Sequence, residues 1–144
     1  MVDDDPNFLE SAKKCLELQG DLAIEAALSC AEAIEKMKNK KPDVIVCDIQ
    51  MPVTNGLEFL KVLRNSDNDV PFIVFTITGD NEMILNAFNL GVNGFVGKCG
   101  DPSVVYPKIK RCIETVTRIS VNKKEQVNLN GIFYLKTLFS KDEM

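Results

Sequence analysis

The fold is decided by residues 43–48, which read DVIVCD: a short apolar run between two carboxylates. A continuous, β-branched run of this length is typical of a strand buried on both faces, as in a parallel sheet. The run ends at Asp48, whose carboxylate would stand at the carboxyl edge of the sheet, where open α/β folds bind ligands. The sequence therefore predicts a parallel sheet with Asp48 in its ligand crevice.

Helical and strand-like patterns alternate on both sides of this run. Because single helices separate the strands, we expect βαβ units and an α/β, doubly wound parallel sheet. Pro107 falls inside the last helix and predicts a kink or a delayed helix start. The predicted strands are 22–28, 43–48, 72–76 and 94–97, and the predicted helices are 6–19, 29–39, 56–65, 80–90 and 102 onward.

The first strand of such a sheet is short in this sequence. Only Met1 and Val2 precede the acidic triplet at 3–5, although that triplet should stand on a strand tip. In the strand order 2-1-3-4-5 the first strand is central, so its loss would split the sheet. We expect residues upstream of Met1 to complete this truncated strand. The alternative is that the apolar tail at 131–139 lies between the second and third strands.

The domain organisation follows from the same patterns. Residues 1–118 are predicted to form one domain, which suits a chain of 144 residues. Residues 119–130 resemble a linker. We therefore assign 119–144 to a linker and an apolar C-terminal tail.

Composition excludes several functions. A net charge of −4 provides no basic surface for direct nucleic-acid binding. No apolar run is long enough for a membrane span, and no signal peptide is evident. Five cysteines without a C-x-x-C pair indicate reduced thiols in a cytoplasmic protein. The absence of histidine removes histidine acid–base chemistry, most zinc sites and a phosphohistidine role.

Four chemical groups follow strand ends and should meet at one edge of the sheet. They are the acidic triplet at 3–5, Asp48, Thr76 and Lys98. Crowded carboxylates repel one another unless a cation such as Mg²⁺, which prefers oxygen ligands, lies between them. Asp48 is a candidate nucleophile that would form an acyl phosphate, with Lys98 as a point cation and the Thr76 hydroxyl as a donor. Each group alone has an ordinary explanation, so the prediction depends on their joint placement.

These residues give the chain its resemblance to a response-regulator receiver domain of two-component signalling. The similarity covers residues 1 to about 118. The matching segments are 2–6 (VDDDP), 48–52 (DIQMP) with Gly56, 71–76 (PFIVFT) with Gly79 and Asp80, and 91–98.

The resemblance implies a flavodoxin-like (βα)5 fold and a phosphoaccepting function. Asp48 would take a phosphoryl group from the phosphohistidine of a sensor histidine kinase or a phosphotransfer protein. Mg²⁺ would be bound by Asp4, Asp48 and the backbone carbonyl of Gln50, with Asp3 acting through water. The domain would be a signalling switch with at most weak autophosphatase activity, not an enzyme.

The resemblance also implies a conformational output. Thr76 and Lys98 would contact the phosphoryl group, and Phe95 would follow the threonine inward. That movement repacks the face formed by the fourth helix, fifth strand and fifth helix, to which a downstream protein partner would bind. The resemblance does not decide whether the domain forms a homodimer through this face, because Pro107 disturbs the last helix.

Three positions depart from the family pattern. Cys99 replaces the proline that usually follows the lysine, and we expect a trans peptide bond before it, because a cis bond there would cost about 2.5–4 kcal/mol. Ile77 replaces a small residue and would narrow access for the phosphoryl group. Phe95 lacks a hydroxyl, so it would report the switch through packing alone.

Two other functional classes share features with this sequence. A pseudo-receiver would act as a phosphorylation-independent interaction module; Cys99 and Ile77 favour it mildly, and the intact acids argue against it. Among enzymes, dehalogenase-like hydrolases carry a second aspartate where Gln50 stands. Flavodoxins need a hydroxyl-rich phosphate loop, whereas residues 5–7 (DPN) are acidic.

Overall fold

The computed structural model describes residues 1–77 and 79–129, with side chains to residue 120. The predicted apolar tail at 131–139 therefore lies outside the described residues. Helices and strands alternate as the sequence predicts. The elements are α1 (Pro6–Leu18), α2 (Cys30–Asn39), β1 (Ile45–Cys47), α3 (Gly56–Asn65), β2 (Phe72–Thr76), α4 (Asn81–Asn89), β3 (Gly94–Gly97) and α5 (Pro102–Leu129).

The three named strands form a parallel sheet in the order β1-β2-β3. Cys47 pairs with Val74 across the first interface, and Thr76 pairs with Gly97 across the second. All three strands therefore present their carboxyl ends at the same edge. The prediction of a parallel α/β sheet is confirmed.

Val2 occupies the central position that the first strand would fill. It forms parallel bridges to Ala27 on one side and to Cys47 on the other. Its N–H donates to the Val46 carbonyl at 2.7 Å, and its own carbonyl accepts from the Asp48 N–H at 3.0 Å. The order 2-1-3-4-5 is therefore preserved, and the sheet is not split. The position considered for the tail is taken by Val2.

The predicted strand at 22–28 is reduced to one bridge, at Ala27. The Asp3 N–H donates to the Ala27 carbonyl at 3.1 Å. The end of the predicted strand therefore still lies beside Val2 at the centre of the sheet. Alanine and glutamate, which fill positions 23, 25 and 26, have low strand propensity, and this accounts for the short pairing.

The core lies in two layers, one on each face of the sheet. Successive strand side chains point to opposite faces. Phe72 and Val74 of β2 therefore pack with residues of α2, α3 and α4. Ile73 and Phe75 pack on the other face with α1 and α5. This arrangement of helices on both faces is the predicted doubly wound architecture.

The helix boundaries follow from local capping. Ser29 and Asp80 act as the predicted N-caps of α2 and α4, since their side chains accept backbone N–H groups of the first turn. Asp101 accepts the N–H of Ser103 at 2.9 Å, just before Pro102 begins α5. Gly20 and Gly91 have φ of +88° just past α1 and α4, a conformation that glycine adopts without steric cost.

Helix α5 bears on two expectations. It begins at Pro102 and continues through Pro107, so the helix start is not delayed, and the kink at Pro107 stays a prediction. One missing N–H near the first turns removes a single backbone hydrogen bond, and packing of Ile109 and Ile113 in the core offsets that loss. Residues 119–129, predicted as a linker, are helical. The domain boundary near residue 118 stays a prediction.

Two further expectations concern thiols and membranes. All five cysteines are free thiols, as expected for reduced residues. Among the described residues, every helix is too short or too polar to cross a bilayer.

Candidate phosphoacceptor site

The predicted groups meet at the carboxyl edge of the sheet. Asp48 follows β1, Thr76 ends β2, and Lys98 follows β3. Asp3 follows the central residue Val2 and is buried, as are Asp48 and Thr76. Each group is thus positioned by a strand end or a central bridge, as the sequence analysis expected.

Lys98 joins the two buried carboxylates. Its Nζ lies 3.0 Å from Oδ2 of Asp48 and also donates to Oδ2 of Asp3. The exposed fraction of the side chain is only 8% for Lys98, 11% for Asp48 and 4% for Asp3. Because water screens a buried ion pair poorly, this contact is stronger than a surface salt bridge. The lysine neutralises acids that would otherwise repel each other.

The remaining carboxylate oxygens have different surroundings. Oδ1 of Asp3 accepts the Asp5 N–H at 3.0 Å, so both of its oxygens have a partner. Oδ1 of Asp48 accepts the Gln50 N–H at a long 3.4 Å. Asp4 is exposed to solvent. Asp48 and Asp4 therefore have more freedom than Asp3 to take a new ligand.

The pKa of Lys98 responds to both burial and charge. Burial alone disfavours the ammonium. The hydrogen bonds and negative charges of Asp3 and Asp48 outweigh that effect, and the pKa of Lys98 is raised above its ordinary value. The lysine therefore stays a cation at physiological pH.

The acids provide a donor set that suits a hard divalent cation. One carboxylate oxygen from each of Asp3, Asp4 and Asp48 lies within 4.8 Å of the others. Mg²⁺ takes oxygen ligands and keeps several waters, so an open cluster with one exposed member fits it. The residues predicted from the sequence to bind Mg²⁺ through carboxylates are thus brought together.

The backbone fixes the position of Lys98 relative to Thr76. The Lys98 N–H donates to the Thr76 carbonyl at 2.8 Å, which extends the pairing of β2 and β3. All peptide bonds among the described residues are trans, as predicted for the bond before Cys99. The Cys99 thiol lies 3.5 Å from the Ile77 carbonyl, and the Ile77 side chain is largely exposed.

Gly56 permits close packing of the loop that follows Asp48. A Cβ at this position would lie 2.1 Å from the Asp48 carbonyl oxygen. The Gly56 N–H also donates to the Ile49 carbonyl at 2.9 Å. The absence of a side chain therefore lets the start of α3 pack closely against the backbone at Asp48 and Ile49.

Phe95 lies at the edge of the core beside the loop after Thr76. Its ring is half-buried and packs against the cluster on the α3 and α4 face. A Cβ on Gly79 would lie 2.8 Å from its Cζ atom, so the ring rests against the backbone of that loop. The roles of Phe95 in switching, of the Thr76 hydroxyl and of the Gln50 carbonyl stay predictions.

Lys98 makes two aromatic contacts that were not predicted from the sequence. Its Nζ lies over the Phe8 ring, 4.2 Å from the centroid, and 5.9 Å from the centroid of Phe75. The available signal was the position of Phe8, an inward residue in the first turn after the acidic triplet.

The fold and the site together define a receiver-type signalling domain. A family model described as the response regulator receiver domain matches residues 1–110. The chain belongs to this family. Receiver domains of two-component systems are signalling switches rather than conventional enzymes.

Curated relatives support the assignment. The chain is 28% identical over 121 residues to the chemotaxis protein CheY of Thermotoga maritima, covering 83% of this chain and 95% of the relative. It is 34% identical over 98 residues to the transcriptional regulatory protein PrrA of Mycobacterium tuberculosis, covering 68% and 42%. It is also 26% identical to the response regulator Rre1 of Synechocystis, covering 92% and 58%. The chain thus spans about half the length of several relatives.

Solved structures support the fold. A two-component response regulator of the LuxR family from Aurantimonas matches with a TM-score of 0.70 and 28% identity, over 79% of this chain and 82% of that one. The chemotaxis protein CheY4 of Vibrio cholerae matches with a TM-score of 0.68 and 27% identity, over 77% and 93%. The predicted flavodoxin-like fold is therefore confirmed.

Proposed function

We propose that this domain accepts a phosphoryl group on Asp48. The observation that carries the proposal is the bridge of Lys98 between Asp3 and Asp48, with Asp4 in the same carboxylate cluster. A buried cation next to a carboxylate at the ligand edge of an α/β sheet is the arrangement that an anionic transferring group requires.

The transfer uses the carboxylate as a nucleophile. An oxygen of Asp48 bonds to phosphorus as the phosphorus–nitrogen bond of a donor phosphohistidine breaks, and the bonding electron pair stays on the imidazole nitrogen. Lys98 stays protonated and contacts the transferred group as a fixed cation. The Thr76 hydroxyl donates to a phosphoryl oxygen. Hydrolysis of the resulting acyl phosphate gives the domain, at most, weak autophosphatase activity.

The three acids have different roles, which follow from their hydrogen bonds. Asp4, Asp48 and the Gln50 carbonyl would hold Mg²⁺ directly, and Asp3 would act through water. This division is supported by the two partners that Asp3 already has, the Asp5 N–H and Lys98. When bound, the ion neutralises charge on the transferring phosphoryl group.

The output is a changed binding surface. Thr76 moves toward the phosphoryl group, and Phe95 follows through packing against the loop at Gly79. The face formed by α4, β3 and α5 then binds a downstream protein partner, or a second copy of the domain. The phosphoryl donor is a sensor histidine kinase or a phosphotransfer protein. We place the domain in the cytoplasm, with no direct contact to nucleic acid.

Intact-protein mass spectrometry tests the proposal. The protein is incubated with acetyl phosphate and Mg²⁺, and we expect a mass gain of one phosphoryl group that does not form when the ion is chelated beforehand. Asp48→Asn should show no gain. Asp43→Asn is the matched control, since Asp43 is exposed and precedes the amino end of β1, whereas Asp48 follows its carboxyl end. Absence of the gain in the unaltered protein, or an equal gain in Asp48→Asn, would contradict the proposal.

The alternative is a pseudo-receiver that binds partners without phosphorylation. The assembled carboxylate cluster and its lysine argue against this alternative. Magnesium titration separates the two, because a pseudo-receiver is not expected to bind the ion. Saturable Mg²⁺ binding that is lost in Asp4→Asn supports the phosphoaccepting function.

A further inference from the structure

Phe8 and Phe75 form an aromatic lining around the ammonium group of Lys98. Their ring centroids lie 5.8 Å apart, and both rings are within 6 Å of the Lys98 nitrogen. The closer ring is Phe8, at 4.2 Å. A cation over an aromatic face at this distance is attracted by the negative face of the ring, and the attraction grows when water is excluded.

The lining affects the ion pairs as well as the cation. The Lys98 side chain is 8% exposed, and the hydrogen bonds to Asp3 and Asp48 are among its polar contacts. Apolar rings beside the nitrogen keep water from competing for those bonds. They also lower the local dielectric constant, which strengthens the attraction between ammonium and carboxylate.

The acidic triplet itself positions the nearer ring. Asp5 is the N-cap of α1, and its Oδ1 accepts the Asn7 N–H at 3.0 Å and the Phe8 N–H at 3.2 Å. Its backbone N–H in turn donates to Asp3. Asp5 is therefore the member of the triplet that links the carboxylate cluster to the aromatic ring, and the cluster that could hold a cation consists of Asp3, Asp4 and Asp48.

We propose that Phe8 is a positioning residue for Lys98: its ring holds the ammonium at the acceptor carboxylate, before and during phosphoryl transfer. This inference rests on the proposed function for its effect on rate. Its effect on the lysine itself is independent of phosphorylation. An aliphatic side chain of similar volume could fill the space but would not attract the cation.

The experiment compares Phe8→Leu with Phe8→Tyr. NMR of isotope-labelled lysine side chains reports proton exchange of the Lys98 ammonium, and acetyl phosphate kinetics report the rate of phosphorylation. We expect Phe8→Leu to speed ammonium exchange and to slow phosphorylation about threefold to tenfold. Phe8→Tyr keeps the aromatic face, so both measurements should stay within about twofold of the unaltered protein.

Phe59→Leu is the matched control for loss of an aromatic pair. Phe59 packs against Phe72 with centroids 5.9 Å apart, in the core cluster on the other face of the sheet. It should lower stability without changing Lys98 exchange. Equal Lys98 exchange in Phe8→Leu and the unaltered protein, or failure of Phe8→Tyr to preserve it while remaining folded, would overturn the inference. Altered exchange in Phe8→Leu with no phosphorylation of the unaltered protein would support the positioning and refute the proposed function.

Discussion

The Lys98 ammonium nitrogen lies 3.0 Å from Oδ2 of Asp48, although the two residues are 50 positions apart. The strand register explains the contact. Cys47 pairs with Val74, and Thr76 pairs with Gly97. In this register Lys98 lies closer than Asp48 to the carboxyl edge of the sheet. Only a long side chain can reach back to the carboxylate from there. The pairing of strands therefore determines which residue type can serve at this position.

Gly56 is expected to be intolerant of a side chain. Gly56→Ala places a Cβ 2.1 Å from the Asp48 carbonyl oxygen, so backbone must move, and we expect a loss of about 1–3 kcal/mol in unfolding free energy. Urea denaturation measures the loss. Gly97→Ala is the control, because its Cβ would meet nothing within 4 Å. Equal stability of the two variants would show that the loop can relax freely.

Arg64 is expected to stabilise the opposite edge of the sheet. Its guanidinium donates to the carbonyls of Asn68 and Val70 at 2.9 Å, to the Gly91 carbonyl at 3.0 Å and to Oδ1 of Asn93 at 3.1 Å. Arg64→Lys cannot reproduce this fork, so we expect a loss of about 1–3 kcal/mol with phosphorylation retained.

Thermal or urea unfolding measures the effect of Arg64→Lys. The control is Arg111→Lys on α5, where the arginine is exposed and the change should stay within about 0.5 kcal/mol. If Arg64→Lys is as stable as this control, the four hydrogen bonds contribute no net stability.

The pKa of Lys98 is expected to be higher than that of an ordinary lysine. Its pKa is raised from 10.5, because its bonds to Asp3 and Asp48 outweigh the effect of burial. The resulting stabilisation is fully present below pH 10.5 and is lost as pH rises through the native pKa. NMR titration of labelled lysines measures this value, and Asp3→Asn should lower it. A Lys98 that deprotonates before the exposed lysines would contradict the ion-pair description.

Val53 is expected to carry local strain. It is fully exposed in the loop after Asp48 and has φ of +69°, which is costly for a β-branched residue. Val53→Asn should raise the unfolding free energy by about 1 kcal/mol, since asparagine tolerates this conformation better. Denaturant midpoints measure the gain. Ile119→Asn, at another exposed apolar position but within a helix, should give no gain.

Much of the fold was predictable because the signals are local. The runs at 43–48, 72–76 and 94–97 and the caps Ser29 and Asp80 each specify an element without distant partners. The predictions that failed depend on contacts between elements that are distant in the sequence. The predicted strand at 22–28 pairs only at Ala27, which forms a bridge to Val2. Pro107 is tolerated, because core packing of α5 outweighs one lost backbone bond.

The candidate site was predictable as far as strand ends determine it. Asp3, Asp48 and Lys98 meet because parallel strands deliver their ends to one edge. The aromatic ring over Lys98 was not predictable in the same way. Phe8 reads as a core residue of α1, and its contact with the ammonium depends on how the helix crosses the sheet.

The most direct test of the central claim is chemical mapping of the phosphoryl group. The protein is phosphorylated with acetyl phosphate and Mg²⁺ and reduced with borohydride, which converts an aspartyl phosphate to homoserine, and its peptides are then sequenced by mass spectrometry. The account predicts homoserine at position 48 alone. Homoserine at position 3 or 4, or at no position in a protein that binds Mg²⁺, would contradict the account.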